Sequence, residues 1–361
     1  MFSNWFLKSF RILLLPFAFI YLAIIWVRNK LYDNRILKSD SFGLPVICVG
    51  NLSVGGTGKS PMVEFLVRLL KNDFKAAVLS RGYKRKTKGY ALANDTSTAL
   101  DIGDEPMQFH LKFPQVPVAV GEERLVAIPQ LLHDRPETEV VILDDAFQHR
   151  AIRAGLNILL TDCNNLFTRD FYLPTGDLRD LKSSYKRAQI IIVTKCNSDL
   201  TLQEKESIIK EIYPQLSQHV FFTAIDYELP YLMLNQQKQK KITDNTEVLL
   251  VTGIADPQSL KNYLDEQSSF YQLMHFSDHH IFSIDDWKDI KKRFLSIESQ
   301  DKIILTTEKD ATRLKKFQTE MHELPVYIIP IRHQFLFNEE QSFNDLVTKF
   351  IGTFNSRKSA I

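Results

Sequence analysis

Short apolar runs alternate with segments of helical periodicity along most of the chain. Five runs of strand length lie before residue 200, at 46–50, 76–80, 140–143, 157–161 and 190–194. Between them, apolar residues recur three or four positions apart, as at 61–70, 122–132 and 202–212. Strands that alternate with helices in this way form a mostly parallel sheet with helices on both faces. The pattern therefore predicts an α/β fold with a mostly parallel sheet.

The pattern changes between residues 221 and 246. This segment predicts a strand, a polar turn at 235–239 and a short return strand, a hairpin that could join two bodies. Alternation then resumes, with strands at 247–252, 302–306 and 326–330 and helices that begin at Pro257 and Lys309. We therefore expect a larger domain at 41–220, a hairpin linker at 221–246 and a smaller α/β domain at 247–361.

The first 40 residues differ physically from the rest. Residues 12–27 carry no charge, and as a helix they would be roughly 24 Å long, somewhat less than a bilayer core. Residues 1–40 hold six bases and two acids, a net charge of +4. Trp5, Phe6, Phe10, Tyr21 and Trp26 stand near both ends of the apolar run. Interfacial aromatics and flanking bases favour a membrane anchor. A buried core helix, kinked at Pro16, is the alternative.

Composition excludes several classes of protein. With 361 residues, 44% of them apolar and 24% charged, the chain is globular rather than disordered or fibrous. Its three cysteines form no C-x-x-C pair, which argues against a zinc ribbon or a disulfide framework. The net charge of +2 argues against a strongly basic nucleic-acid binder.

A glycine-rich loop follows the first predicted strand, in the sequence NLSVGGTGKSP. Its end, Gly58-Lys59-Ser60, matches the last residues of a nucleotide-binding P-loop, whereas Ser53 stands where the standard spacing has its first glycine. Such a loop wraps phosphates with backbone N–H groups. Lys59 would reach the β- and γ-phosphates, and the Ser60 hydroxyl would bind magnesium. The nucleotide-binding residues predicted are Ser53, Val54, Gly55, Gly56, Thr57, Gly58, Lys59 and Ser60.

Two carboxylates, Asp144 and Asp145, end the apolar run at 140–143. In a parallel sheet this end faces the ligand crevice, where carboxylates can hold the Mg²⁺ that bridges nucleotide phosphates. A solvated turn is the alternative for this pair. With Ser60, these two aspartates are the predicted metal ligands.

Three polar clusters could belong either to a functional site or to an ordinary solvent-exposed surface. The run 81–88 has five bases and no acid, and suits either an anionic substrate or a solvated loop. Asp104 and Glu105 open a helix, where acids also complement the helix dipole. His279 and His280 fit a surface turn. Transfer to a hydroxyl needs a base, which an Asp and a His brought together across a domain cleft would provide.

The combination of motifs resembles the tetraacyldisaccharide 4′-kinase family, the inner-membrane kinases of lipid A synthesis. The motifs occur in the family's order: SVGGTGKSP, SRGYKRK, GDEP, GEERLVA, LDDAFQHR, LPTGDLRD, VTK, FSDHH and TEKDA. The resemblance implies that Asp104 is the catalytic aspartate and that His279 supports it as a dyad. It also implies active-site or substrate roles for further residues: Arg81, Tyr83, Glu105, Arg124, Gln148, His149, Arg179 and Asp180.

The family resemblance also implies the reaction. The enzyme would use ATP and Mg²⁺ to phosphorylate the 4′-hydroxyl of a tetraacyldisaccharide 1-phosphate, giving the 4′-phosphorylated lipid A precursor lipid IVA. It would work at the cytoplasmic face of the inner membrane, with no nucleic acid and no obligate protein partner. The alternative is a P-loop GTPase or metallochaperone switch. The run 193–199, VTKCNSD, has a faint resemblance to a guanine-reading N-K-x-D, but threonine holds the first position, and the lack of C-x-x-C opposes a metallochaperone.

Overall fold

The computed structural model describes residues 11–268, 270–322 and 324–359, with side chains to residue 354. Fifteen strands build a nine-stranded and a six-stranded sheet in this part of the chain. Both sheets are mostly parallel and carry helices, which confirms the predicted fold class. The strands are β1 (Val46–Asn51), β2 (Ala76–Ser80), β3 (Ala91–Leu92), β4 (Val118–Val120), β5 (Val140–Asp144), β6 (Leu156–Asp162), β7 (Ile190–Thr194), β8 (His219–Tyr227), β9 (Tyr231–Leu232), β10 (Asn235–Gln239), β11 (Glu247–Thr252), β12 (Tyr271–His275), β13 (Lys302–Thr307), β14 (Val326–Ile329) and β15 (Ile331–Phe335).

The larger sheet places β1 at its centre. Its strand order is β15-β8-β7-β6-β1-β5-β2-β4-β3, and the pairs from β8 to β4 are parallel, while the edge strands β15 and β3 are antiparallel. The central strands are buried on both faces, and their sequences are accordingly continuous apolar runs. The carboxyl ends of β1, β5, β6 and β7 therefore meet at one edge.

The smaller sheet has the order β10-β9-β14-β13-β11-β12. Strands β11 to β14 are parallel, and the hairpin β9–β10 adds the antiparallel edge. The predicted polar turn at 235–239 is wrong, because these residues form β10 and the turn lies at 233–234. Strand β10 is exposed along its whole length, so its sequence NQQKQ lacks the apolar alternation that marks a half-buried strand.

Helices cover both sheets: α1 (Leu15–Asp33), α2 (Lys59–Leu70), α3 (Ala99–Ile102), α4 (Asp104–Lys112), α5 (Arg124–Asp134), α6 (Leu202–Ile212), α7 (Gln258–Gln267), α8 (Ile284–Leu295), α9 (Glu308–Leu314) and α10 (Glu340–Ser359). Three 3₁₀ segments lie at Ile12–Leu14, Lys182–Arg187 and Lys315–Phe317. Capping fixes several starts: Thr201 before α6 and Ser283 before α8 each form a capping box.

The chain crosses between the sheets twice. It leaves the larger sheet after β8, and it returns between β14 and β15, where only Pro330 separates the two strands. Phe335 on β15 and Phe343 on α10 then pack into the core of the larger sheet. The C-terminal segment, which we predicted in the smaller domain, thus contributes to the larger sheet. The predicted domain limits themselves stay predictions.

The N-terminal helix lies against the body at one end. Residues Ile12–Asp33 form one helical stretch of 22 residues, and its most apolar 18 residues have a mean hydropathy of 1.9, so the stretch is long and apolar enough to cross a membrane. The Ile20 and Ile24 side chains are 59% and 61% exposed, which is incompatible with the alternative of a core helix. Tyr21 and Trp26 lie on this helix, whereas Trp5, Phe6 and Phe10 are outside the described residues.

Candidate active site

The phosphate loop joins β1 to α2 at the centre of the larger sheet. Gly55 and Gly58 have positive φ angles of 106° and 82°, which L side chains rarely adopt. A Cβ on Gly58 would lie 2.9 Å from the His333 ring, so no larger residue fits. Ser53 has no positive φ, and it forms a backbone bridge with Leu178. The backbone at position 53 therefore accommodates the Ser53 side chain, although the standard P-loop spacing has glycine there.

Three side chains hold the loop in place. The Asn51 amide donates to the Thr57 hydroxyl at 2.9 Å, and the Thr194 hydroxyl donates to the Thr57 carbonyl at 3.0 Å. His333 Nε2 donates to the Gly58 carbonyl at 2.8 Å, while its Nδ1 accepts from the Thr223 hydroxyl at 2.9 Å. A neutral His333 with its proton on Nε2 makes both bonds, and burial favours this form by lowering the pKa of His333 to about 4. Sequence reasoning missed this histidine, which stands on the strand β15 that was also missed.

Asp144 and Asp145 end strand β5 beside the loop. Asp144 is buried, and its Oδ2 accepts from Ser80 at 2.9 Å while its Oδ1 has no partner. Burial, with nearby Glu105 and Asp145, raises the pKa of Asp144 to about 7. Burial also acts to raise the pKa of Asp145, but Lys59 and a bidentate contact with Arg179 outweigh it and lower that pKa. The Lys59 Nζ is 3.9 Å from Asp145 Oδ1.

Helix α4 brings two acids to this edge of the sheet. Gly103 precedes the helix with a φ of 96°, and a Cβ there would lie 3.1 Å from the Tyr83 carbonyl. Glu105 Oε1 accepts a hydrogen bond of 3.1 Å from the Ser60 hydroxyl, so the start of α4 touches the start of α2. The adjacent Asp104 turns instead toward the smaller sheet.

Asp104 meets His279 across the crevice between the sheets, as the resemblance implied. The His279 Nδ1 lies 2.9 Å from Asp104 Oδ2. Arg313 on α9 holds the same carboxylate with two nitrogens, its Nε at 2.9 Å from Oδ1 and its Nη2 in close contact with Oδ2. Burial acts to raise the pKa of Asp104, but the bonds from His279 and Arg313 prevail and lower it well below its usual range.

Two cationic side chains of α9 contact the His279 ring. Lys309 Nζ lies 3.3 Å from His279 Nε2, and Arg313 Nη2 lies 3.0 Å from Nδ1, beside the contact of Nδ1 with Asp104. Lys309 and Arg313 are four residues apart, hence on one face of α9. The motif TEKDA contains Lys309 but ends before Arg313, and neither residue was among the predicted site residues. The spacing of four residues, which places both side chains on one face of a helix, is the sequence signal that could have indicated a shared role.

A second buried contact joins α4 and α9. Lys112, at the end of α4, lies 2.6 Å from Glu64 Oε2 on α2 and also contacts Glu308 at the start of α9. Burial and the neighbouring Glu64 raise the pKa of Glu308 above its ordinary value. The two ends of α9 thus bind the two ends of α4, which fixes how the two sheets face each other.

Three of the other predicted site residues lie beside the phosphate loop. Gln148, Arg124 and His149 lie near the carboxyl end of β5: the Gln148 amide donates to the Asn51 carbonyl at 2.7 Å, and Arg124 reaches the Asp144 carbonyl at 3.5 Å. Burial and nearby arginines lower the pKa of His149 to about 4. Asp180 is buried, and the hydrogen bonds of its carboxylate go to other parts of the chain.

The carboxylate of Asp180 instead anchors the N-terminal helix. It accepts hydrogen bonds from Asn29 on α1 and from Arg187, each at 2.8 Å. Arg81 and Tyr83 are exposed at the mouth of the crevice, and the Tyr83 ring lies 5.8 Å from the His279 ring. The basic run 81–88 therefore borders the Asp104–His279 pair.

A phosphate loop on a central parallel strand, beside two carboxylates and an Asp–His pair from a second body, defines a P-loop phosphotransferase. A sequence model of the family described as tetraacyldisaccharide-1-P 4′-kinase (LpxK) matches residues 10–352. The chain belongs to this family and is a kinase, which confirms the predicted family and enzyme class and excludes the alternative of a GTPase or metallochaperone switch.

Relatives with the same name match almost the whole chain. A tetraacyldisaccharide 4′-kinase from Bacteroides thetaiotaomicron is 44% identical over 96% of this chain and 94% of its own length. One from Flavobacterium johnsoniae is 43% identical over 94% of this chain and 97% of its own. Among solved structures, LpxK from Aquifex aeolicus in complex with ATP has a TM-score of 0.74 and 29% identity, covering 95% of this chain and 99% of that one.

Proposed function

We propose that the protein transfers the γ-phosphoryl group of ATP to the 4′-hydroxyl of a tetraacyldisaccharide 1-phosphate, giving lipid IVA. One observation carries this assignment: on α4, Glu105 contacts the phosphate loop through Ser60 while Asp104 contacts His279. Asp104, the proposed base for the hydroxyl, and Glu105, which contacts the phosphate loop, are thus adjacent residues. The ATP complex of the Aquifex aeolicus relative supports ATP as the phosphoryl donor.

The phosphates would be bound by the loop and the start of α2. The backbone N–H groups of residues 55–60 and the positive end of the helix dipole attract anions, and Lys59 adds a full charge. Lys59 is held 3.9 Å from Asp145, so it is available near the loop without a tight ion pair. These groups would neutralise charge on the transferring phosphoryl group and orient it.

Magnesium fits the donor set beside the loop. The unpartnered, buried Oδ1 of Asp144 and the hydroxyl of Ser60 are oxygen ligands of the type Mg²⁺ prefers. No three His, Cys, Asp or Glu side chains of the described residues form a complete metal site. Nucleotide oxygens would thus complete the coordination, as is usual for kinases. When bound, the ion would supply charge neutralisation on the β- and γ-phosphates.

Asp104 would accept the proton of the acceptor hydroxyl. As that proton moves to the carboxylate, the hydroxyl oxygen bonds to the γ-phosphorus and the bridging P–O bond to ADP breaks. In the present arrangement both Asp104 oxygens are bound by Arg313 and His279. A carboxylate held in this way is a weak base, so Arg313 must withdraw from one oxygen before transfer.

The membrane gives this enzyme access to its substrate. Each CH₂ group moved from lipid into water costs about 0.8 kcal/mol, so a tetraacylated acceptor stays in the bilayer. The exposed apolar face of α1 and the basic run 81–88 support binding to the anionic cytoplasmic face of the inner membrane. We expect no nucleic acid and no obligate protein partner in the reaction.

The test is transfer of label from γ-labelled ATP to purified disaccharide 1-phosphate in detergent micelles. We expect label in the lipid, and loss of most transfer in Asp104→Asn. Asp95→Asn, the same change in an exposed loop, is the matched control and should leave the rate unaltered. Label that appears only as free phosphate would contradict the proposal.

A further inference from the structure

Asp310 on α9 is a fully buried carboxylate that the mechanism described above does not use. Its Oδ2 accepts three hydrogen bonds, from the Thr252 hydroxyl at 3.0 Å, the Gly253 N–H at 3.0 Å and the Thr307 hydroxyl at 2.7 Å. Its Oδ1 is also buried, but it has no hydrogen-bond partner among the described residues. A buried carboxylate oxygen without a donor is costly, so this atom requires an explanation.

Arg313 faces this unpaired oxygen. Its Nη1 lies 3.5 Å from Asp310 Oδ1, which is longer than an ordinary hydrogen bond, and this nitrogen too is buried without a partner in the described part of the chain. The other two nitrogens of the guanidinium are bound to Asp104. Arg313 therefore stands between two carboxylates and forms hydrogen bonds with only one of them. A shift of about 0.6 Å toward Asp310 would bring the second contact to hydrogen-bond distance.

Arg313 also competes with Asp104 for the His279 ring. The Nδ1 atom lies 2.9 Å from Asp104 Oδ2 and 3.0 Å from Arg313 Nη2. In a neutral imidazole each nitrogen either donates or accepts, so Nδ1 donates to Asp104 or accepts from Arg313, but not both. The present position of Arg313 therefore weakens the dyad in two ways, because it binds both carboxylate oxygens and competes for the ring nitrogen.

We propose that Asp310 is a positioning residue that draws Arg313 away from Asp104, so that the guanidinium has two positions. In the resting position, Arg313 binds Asp104 and keeps it a weak base. In the reactive position, Arg313 pairs with Oδ1 of Asp310. His279 then donates to the released Asp104, and the acceptor hydroxyl takes the vacated carboxylate oxygen. The inference rests on the proposed function, in which Asp104 is the base.

The acceptor itself selects the reactive position. Its hydroxyl finds a free oxygen on Asp104 only when Arg313 has moved, so binding of the acceptor favours that arrangement. A base that is held by Arg313 until the acceptor arrives does not activate water. The resting position thus limits the loss of ATP to hydrolysis.

Asp310→Asn tests the reactive position. The three donors to Oδ2 fix the amide oxygen at that place, so the amide nitrogen faces Arg313 Nη1 and two donors oppose each other. Arg313 then stays on Asp104, and we expect kcat for lipid phosphorylation to fall roughly tenfold or more without a change in ATP binding. In the Arg313→Gln background the same change should cost less than about threefold. Asp285→Asn, at an exposed position of α8, is the matched control and should leave kcat unchanged.

Arg313→Gln by itself tests the resting position. Without the guanidinium, Asp104 keeps only its contact with His279, so its pKa rises and kcat/KM falls at a higher pH on acidification than in the wild type. Hydrolysis of ATP without lipid should rise about threefold or more, because the base is no longer held. The other titratable groups beside the pair remain in this variant: Tyr83, Glu105, Asp278, Lys309 and Asp310.

The two variants test separate halves of the proposal, so it stays testable if one of them fails to fold. Unchanged kcat in Asp310→Asn, or an equal loss in the Arg313→Gln background, would overturn the role of Asp310. Wild-type hydrolysis and a wild-type pH profile in Arg313→Gln would overturn the resting position.

The proposed function is judged separately, by label in the lipid with the wild-type protein. Labelled lipid together with either contrary result would refute this inference alone. If the lipid stays unlabelled while Arg313→Gln raises ATP hydrolysis, the proposed acceptor is wrong and the control of Asp104 by Arg313 stands.

Discussion

His333 offers a quantitative test of how the phosphate loop is held. It is fully buried in the larger sheet, donates to the Gly58 carbonyl at 2.8 Å and accepts from Thr223 at 2.9 Å. Protonation would put a cation in this apolar setting without a carboxylate partner among the hydrogen bonds it makes. The substitution His333→Gln keeps a donor near the Gly58 carbonyl and removes the titrating group.

The magnitude follows from the pKa of His333, which burial lowers from 6.5 to about 4. The neutral form is favoured in the folded state, so the stabilisation is fully present above pH 6.5 and is lost as pH falls toward 4. A shift of this size corresponds to roughly 3 kcal/mol over the whole window. Between about pH 7.5 and about pH 5, the expected loss of unfolding free energy is about 2 kcal/mol.

Urea unfolding, followed by circular dichroism at both pH values, measures this loss. Other groups titrate over the same range, so the informative quantity is the difference between wild type and His333→Gln. That difference should shrink by about 2 kcal/mol on acidification, because only the wild type loses free energy of unfolding when His333 is favoured in its protonated form in the unfolded chain. His219→Gln, on the exposed start of β8, is the control and should track the wild type. A wild-type-minus-variant difference that is independent of pH would refute the reasoning.

Three further predictions concern the dyad, the contact between helices and the anchor. Asp104→Asn should lower the transfer rate by roughly 10²- to 10⁴-fold while equilibrium nucleotide binding stays unchanged, and full turnover would exclude Asp104 as the base. Lys112→Met leaves the buried Glu308 without its cation and leaves Glu64 with Arg68 alone, so urea unfolding should report a loss of about 3–5 kcal/mol; a loss below about 1 kcal/mol would contradict the buried contact. Replacing Ile20 and Ile24, 59% and 61% exposed, by Asp should reduce sedimentation with anionic vesicles, and undiminished sedimentation would exclude this face as the membrane contact.

The local parts of this fold could be predicted from the sequence. Strand β2, strand β7 and helix α6 have the predicted limits, because continuous apolar runs and a capping box mark them within a few residues. The phosphate loop could also be predicted, because its glycines, its lysine and the preceding strand are contiguous in the sequence. The exposed strand β10 and the partly polar strand β15 lack such a signal, and both were missed.

The partners of the site residues could not be predicted from the residues alone. Asp104 and His279 are 175 positions apart, and Gly58 and His333 are 275 apart. Only the resemblance to a known family suggested the first pair, and nothing suggested the second. Asp180, assigned to the active site by the same resemblance, has its carboxylate bound to Asn29 and Arg187 between α1 and the body. Long-range contacts depend on packing, which local patterns do not specify.

The position of the new phosphate on the disaccharide tests the central claim most directly. The product of a reaction with ATP is purified, and phosphorus–proton correlation in its NMR spectrum identifies the esterified carbon. We predict a second phosphate at the 4′ carbon, formed one for one with ADP and lost in Asp104→Asn. ADP formed without a phosphorylated lipid, or a phosphate on another carbon, would contradict the account.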